Sequence, residues 1–130
     1  MISFDRVSYS SHGTDIINDV SFRIGRGDFV SLIGANGAGK STLTRLCNGL
    51  LKPCSGSVVV NGFDTSVTKT SRIAKFTGFL FQNPDRQICK NTVRDEIIFG
   101  LKCVIDDKKE IEQCCEKALK KFGLNGKREP

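Results

Sequence analysis

Nine consecutive residues could do chemistry: Gly34-Ala35-Asn36-Gly37-Ala38-Gly39-Lys40-Ser41-Thr42. They fit the pattern G-x-x-x-x-G-K-[S/T]. Each position has a physical task. The glycines let successive backbone N–H groups curl around phosphate oxygens, in conformations that a Cβ would hinder. Lys40 supplies a mobile cation for the outer phosphates, and the Ser41 hydroxyl can ligate Mg²⁺. A helix starting here adds free N–H groups and the positive end of its dipole. The chemistry expected is capture of a magnesium-bound polyphosphate.

Such a cradle needs a strand before it and a helix after it. Phe29-Val30-Ser31-Leu32-Ile33 is a short, nearly all-apolar run, as expected of a strand buried on both faces. Beyond Lys40, the residues Leu43, Leu46 and Leu50 recur at helical spacing, and Gly49 and Pro53 end the pattern.

The elements around the cradle are also readable. Ile2 and Phe4, then Val7 and Tyr9, suggest a first strand. A polar turn over residues 10–15 follows, with Gly13. Residues 17–24 then alternate Val20, Phe22 and Ile24 against Asp19, Ser21 and Arg23. With the turn Gly25-Arg26-Gly27-Asp28, this is an antiparallel ribbon. Residues 57–60 are a β-branched run, and Asn61-Gly62 is a tight-turn signal. Residues 65–75 form a polar connection with one helical turn near the end. Residues 76–81 are apolar and predict another core strand. A loop over 82–91 precedes a short helix over 92–101, with Thr92 as N-cap and Asp95 three residues on. The last helix places Ile111, Cys114, Cys115, Ala118, Leu119 and Phe122 on one stripe, between Asp107 and Gly123.

Composition narrows the classes. The chain has 130 residues, 38% of them hydrophobic and 26% charged. That suits one ordinary core and excludes a disordered composition. No apolar run is long enough to span a membrane as a helix, and the N-terminus lacks a secretory pattern, so a cytosolic start is expected. The six cysteines, Cys47, Cys54, Cys89, Cys103, Cys114 and Cys115, include no C-x-x-C pair, and reduced thiols are expected. The formal charge is +6. Both halves mix the two signs, so a solvated surface is expected and no nucleic-acid partner.

The cradle, preceded by the ribbon and Gly27-Asp28, resembles the ATP-binding subunit of ATP-binding-cassette transporters. Phe79-Leu80-Phe81-Gln82-Asn83-Pro84-Asp85-Arg86-Gln87-Ile88 resembles the glutamine-loop segment of that family. With Thr92-Val93-Arg94-Asp95-Glu96-Ile97-Ile98-Phe99-Gly100-Leu101, the likeness is greatest to cobalt-type and energy-coupling-factor importers. The resemblance covers nearly the whole chain. It implies an α/β fold with a phosphate-loop core sheet and an N-terminal antiparallel β subdomain. Residues 1–28 would be the ribbon, 29–81 the core, and 82–130 the glutamine loop and start of a helical subdomain.

The resemblance implies function as well. ATP and Mg²⁺ would be the cofactors, with Lys40 and Gln82 catalytic and Ser41 and Gln82 on the metal. A complete subunit would hydrolyse ATP to ADP and phosphate, coupled to uptake of a vitamin or transition-metal ion. It would sit on the cytoplasmic face of a membrane. The loop from Gln82 to Gln87 would touch a transmembrane subunit, and a second ATPase subunit would complete the site. The aromatic residue that stacks on adenine in the family aligns near Ser11, where Tyr9 and His12 each offer a ring. Tyr9 also reads as a half-buried strand residue and His12 as a surface turn residue.

Two departures qualify this. No Leu-Ser-Gly-Gly-Gln signature occurs, and no apolar strand ends in Asp-Glu. The chain resembles a domain cut just before the signature, so it is expected to bind nucleotide without hydrolysing it alone. The alternative is a non-hydrolytic nucleotide-binding module. Lost cover over the apolar faces also predicts marginal stability.

Overall fold

The computed structural model describes residues 1–83 and 87–124. The chain divides into two compact units, Met1–Gly78 and Phe79–Pro130. In the first, β1 (Ile2–Ser11), β2 (Thr14–Ile24), β3 (Ser55–Val60) and β4 (Phe63–Asp64) form one antiparallel sheet in the order β2-β1-β3-β4. The ribbon expected over residues 1–28 is therefore part of a wider sheet. The helices α1 (Lys40–Cys47) and α2 (Thr70–Ile73) belong to the same unit.

Both two-residue turns follow from residues that accept left-handed backbone. His12 and Gly13 have φ of 50° and 77°, and Asn61 and Gly62 have φ of 48° and 86°. Positive φ at both positions matches the right-handed twist of the strands a hairpin joins. The first turn is thus tighter than the polar stretch suggested, with Ser10, Ser11, Thr14 and Asp15 in the ladder.

The irregular spacing of apolar residues in β1 also has a cause. Phe4 and Val7 are both buried although three residues apart. A strict period of two would put them on opposite faces. A bulge between them, with Arg6 at φ 47°, resets the phase. Asp19, at φ 48°, does the same in β2. The N–H groups at these bulges are satisfied by serines: Arg6 N–H donates to Ser21 Oγ (2.8 Å) and Asp19 N–H to Ser8 Oγ (3.0 Å).

Leu43 and Leu46 of α1 join Phe4, Val7, Ile17, Val58, Val60 and Ile73 in one buried cluster. The helix ends earlier than its leucine spacing suggested. Asn48 Oδ1 accepts the N–H of Leu50 (3.0 Å) and Gly49 turns left-handed at φ 71°, so Leu50 leaves the stripe and is exposed.

Burial also sets the chemistry of Cys47. Removal from water pushes its thiol up to about 11 from an ordinary 9.0. The folded state holds this proton more tightly than the unfolded chain does. Its contribution to stability is therefore complete below pH 9.0 and is lost as pH rises through about 11. At pH 8, iodoacetamide should modify the exposed Cys54, Cys89 and Cys103 and spare Cys47 and the buried Cys115. Peptide mass spectrometry reads the pattern, and equal modification of Cys47 would contradict this account.

The two apolar runs expected as parallel core strands are not strands. Residues 29–33 carry no ladder, with Phe29 97% and Ile33 91% exposed. A buried parallel strand exists through neighbours on both sides. The four described strands are antiparallel and pair only among themselves. Residues 76–81 lack a ladder as well, and Phe76 instead stacks on Phe63 at 5.4 Å.

In the second unit, α3 (Val93–Leu101) and α4 (Lys108–Lys121) form a helix pair. Thr92 caps α3 as expected: its Oγ1 accepts from Asp95 N–H (3.0 Å) and donates to Asp95 Oδ2 (2.8 Å). Asp107 caps α4 through Lys109 N–H (2.7 Å). Each cap contributes about 1 kcal/mol. Ile111, Cys115 and Leu119 are buried along α4. Phe122 is 68% exposed because the helix stops at Lys121 and the stripe stops with it. Arg94 of α3 ties the pair together, donating to Glu116 (2.6 Å) and to Glu112 of α4.

Candidate functional site

The first unit positions the cradle. Asp28 closes the turn before it, accepting Gly25 N–H at 2.6 Å. Residues 34–38 are exposed and lead into α1. Gly37 and Gly39 adopt φ of 85° and 82°. Ala38 N–H donates to Ala35 C=O (3.2 Å), which folds the loop into a turn. Gly39 is the N-cap of α1 and offers no side chain to cap it. The first N–H groups of a helix have no acceptor within it. Those at Lys40, Ser41 and Thr42 therefore have no acceptor within α1, and such groups can donate to an anion.

Gly39 is needed for space as well as for φ. A Cβ there would lie 2.9 Å from Ile17 Cδ1 and 3.1 Å from Ile16 C=O. The end of the loop is thus seated directly on β2. This contact was not evident in the sequence, since nothing local links Gly39 to Ile16 and Ile17.

Lys40 folds back across the loop. Its Nζ donates to Gly34 C=O (2.8 Å) and Ala35 C=O (2.7 Å). The ammonium is therefore tied to the first two residues of the loop. Ser41 is exposed at the first turn of α1, and the hydroxyl of Thr44 bonds the Ser41 carbonyl (3.0 Å). No group of three or more His, Cys, Asp or Glu among the described residues could hold a metal by itself. The exposed Ser41 hydroxyl is a hard oxygen donor of the kind that would suit magnesium, which takes few protein ligands.

The ring candidates lie on the β1–β2 hairpin of the same unit. Tyr9 is half-buried opposite Ile17. His12 is exposed at the turn, with Nδ1 3.0 Å from Ser11 Oγ. Gln82 lies in the second unit and is exposed. Pro84, Asp85 and Arg86 of the glutamine-loop segment lie outside the described residues.

Two side chains hold the segment around Gln82. The Gln87 amide donates from Nε2 to Phe79 C=O (3.1 Å) and accepts at Oε1 from Phe81 N–H (3.3 Å). Glu96 Oε2 accepts from the N–H groups of Cys89 (2.9 Å) and Lys90 (2.8 Å). Neither role was legible beforehand. A glutamine in a polar loop has no periodic signal, and Glu96 reads as an ordinary first-turn acid of α3.

Sheet, glycine loop and α1 together make an α/β unit with a glycine loop at a helix N-terminus. The ABC transporter family matches residues 17–130, and the chain belongs to that family. The chain is 38% identical over 125 residues to the energy-coupling factor transporter ATP-binding protein EcfA1 of Fusobacterium nucleatum, covering 95% of this chain and 47% of that protein. It is 40% identical over 116 residues to the energy-coupling factor transporter ATP-binding protein EcfA of Methanocaldococcus jannaschii, covering 88% and 42%. Among solved structures it is similar to cbiO1 of Clostridium perfringens, described as part of the ABC transporter complex cbiONQ. The TM-score is 0.80 and the identity 28%, covering 98% of this chain and 52% of that one. The chain thus spans about half the length of the relatives it matches. The α/β fold with its N-terminal antiparallel sheet is that of these ATP-binding proteins. No described helix is long and apolar enough to cross a membrane.

Proposed function

We propose that the chain is the nucleotide-binding half of an ATPase subunit that energises uptake of a vitamin or transition-metal ion. The observation that carries this reading is the Lys40 ammonium held across a glycine loop at the uncapped start of α1. The loop N–H groups bind the phosphates, Lys40 neutralises the outer two, and the Ser41 hydroxyl would hold magnesium; Gln82 is assigned as a magnesium ligand from the family resemblance. When bound, the metal neutralises phosphate charge. The β1–β2 hairpin meets the adenine through Tyr9 or His12.

The relatives' names support the transport role. The complete subunit works at the cytoplasmic face of a membrane, pairs with a second ATPase subunit, and meets a transmembrane subunit through the loop from Gln82 to Gln87. Phosphoryl transfer needs a placed water and charge stabilisation. The sequence offers no Asp-Glu strand and no signature, so this chain holds nucleotide with hydrolysis near background.

Titration calorimetry with MgATP tests binding, and a phosphate-release assay tests turnover. Expected are a saturable heat of binding and no phosphate above background. A folded chain that takes up no MgATP would sink the proposal.

A further inference from the structure

We infer that Gln87 is a positioning residue for Gln82. This rests on the proposal above that Gln82 serves magnesium. The carbonyl of Phe79 and the N–H of Phe81 flank Leu80, and one residue of a parallel neighbouring strand would engage just such a pair. Here the Gln87 side-chain amide takes that place, with its donor on Phe79 (3.1 Å) and its acceptor on Phe81 (3.3 Å). A primary amide is suited to this, carrying a donor and an acceptor on one planar group.

Phe81 immediately precedes Gln82, so the brace fixes the backbone from which Gln82 departs. The rings of Phe79 and Phe81 meet edge to face at 4.8 Å, which steadies the same two residues. The brace has its own footing. Cys89 and Lys90, just beyond Gln87, are held by the Glu96 carboxylate, and Glu96 stands in the first turn of α3, behind the Thr92 cap. The start of Gln82 is therefore set relative to α3 by two side chains rather than by a sheet. An amide oxygen that serves a hard cation must be held to a fraction of an ångström, and supporting residues supply that.

The experiment measures how many-fold Mg²⁺ raises the affinity of the chain for ATP, by calorimetry with and without the metal. The variants are Gln82→Ala, Gln87→Ala and the double variant. Gln82→Ala should cut the magnesium gain about tenfold, and Gln87→Ala about threefold or more, the scale of one or two lost hydrogen bonds. In the Gln82→Ala background, Gln87→Ala should add nothing, because it acts through Gln82. ATP affinity without magnesium should be unchanged in Gln87→Ala.

Amide hydrogen exchange gives a second readout. Gln87→Ala should release the Phe81 amide while the α4 amides stay protected. Where Gln87→Ala does not fold, Gln87→Glu, which keeps the acceptor and loses the donor, is read by the same criteria. A magnesium gain unchanged in Gln87→Ala but lowered in Gln82→Ala overturns the positioning role alone. So does a Gln87→Ala effect that persists undiminished without Gln82. No effect of Gln82→Ala itself overturns the metal assignment, and the positioning role with it.

Discussion

Replacing Lys40 by alanine should weaken MgATP binding by about 100-fold, which is ~3 kcal/mol. Two losses combine. The first is the charge-assisted bond to the outer phosphates, among the stronger hydrogen bonds a site can make. The second is the tether from Nζ to the carbonyls of Gly34 and Ala35, which braces the loop before ligand arrives. Lys40→Arg should not rescue, because a planar fork cannot replace a compact ammonium folded across a tight loop. Folding should be unaffected, since alanine is the best helix former and position 40 opens α1. Calorimetry checks the affinity and circular dichroism the fold. Wild-type affinity in Lys40→Ala would show that the ammonium does not face the phosphates.

Gly56→Ala should be the most damaging single methyl in the first unit. Gly56 has φ 74°, and a Cβ there would collide with the carbonyl oxygens of Asp5 and Arg6. These belong to the bulge of β1, which cannot move without disturbing its pairing with both β2 and β3. Gly62→Ala is the control. Its φ is 86°, but nothing lies within 4 Å of the added atom. The left-handed penalty alone costs about 1 kcal/mol at either position. Steric overlap should raise the Gly56 loss to ~3 kcal/mol or more. Paired thermal or urea unfolding measures the difference, and equal losses would show that the bulge yields to the methyl.

The cradle was legible because its nine residues are consecutive and each type has one physical task. The caps at Thr92 and Asp107 were legible because capping is local too. The first strand was legible from its apolar residues, but only the structure shows the bulge between Phe4 and Val7, with Arg6 and Asp19 left-handed. Residues 29–33 and 76–81 misled for one reason. A run of apolar residues states a preference for burial, not the presence of a neighbour to pair with. Leu50 and Phe122 misled because spacing continues past the residue where a helix stops. Gln87 and Glu96 stayed hidden because their partners are backbone groups, which no sequence pattern marks.

The antiparallel sheet also imposes an order in time. β1 and β2 meet across a two-residue turn, a closure that takes microseconds in isolated hairpins. β3 arrives from much farther along the chain, for Ile2 lies opposite Val60. Long-range closure slows folding more than it weakens the folded state. The glycine loop lies inside that closing span. Its seat on Ile16 and Ile17 is ready once the hairpin forms, but Leu43 and Leu46 of α1 are buried only when Val58 and Val60 arrive. The support beneath the glycine loop is therefore completed late in folding, by the return of a distant strand rather than by the loop itself.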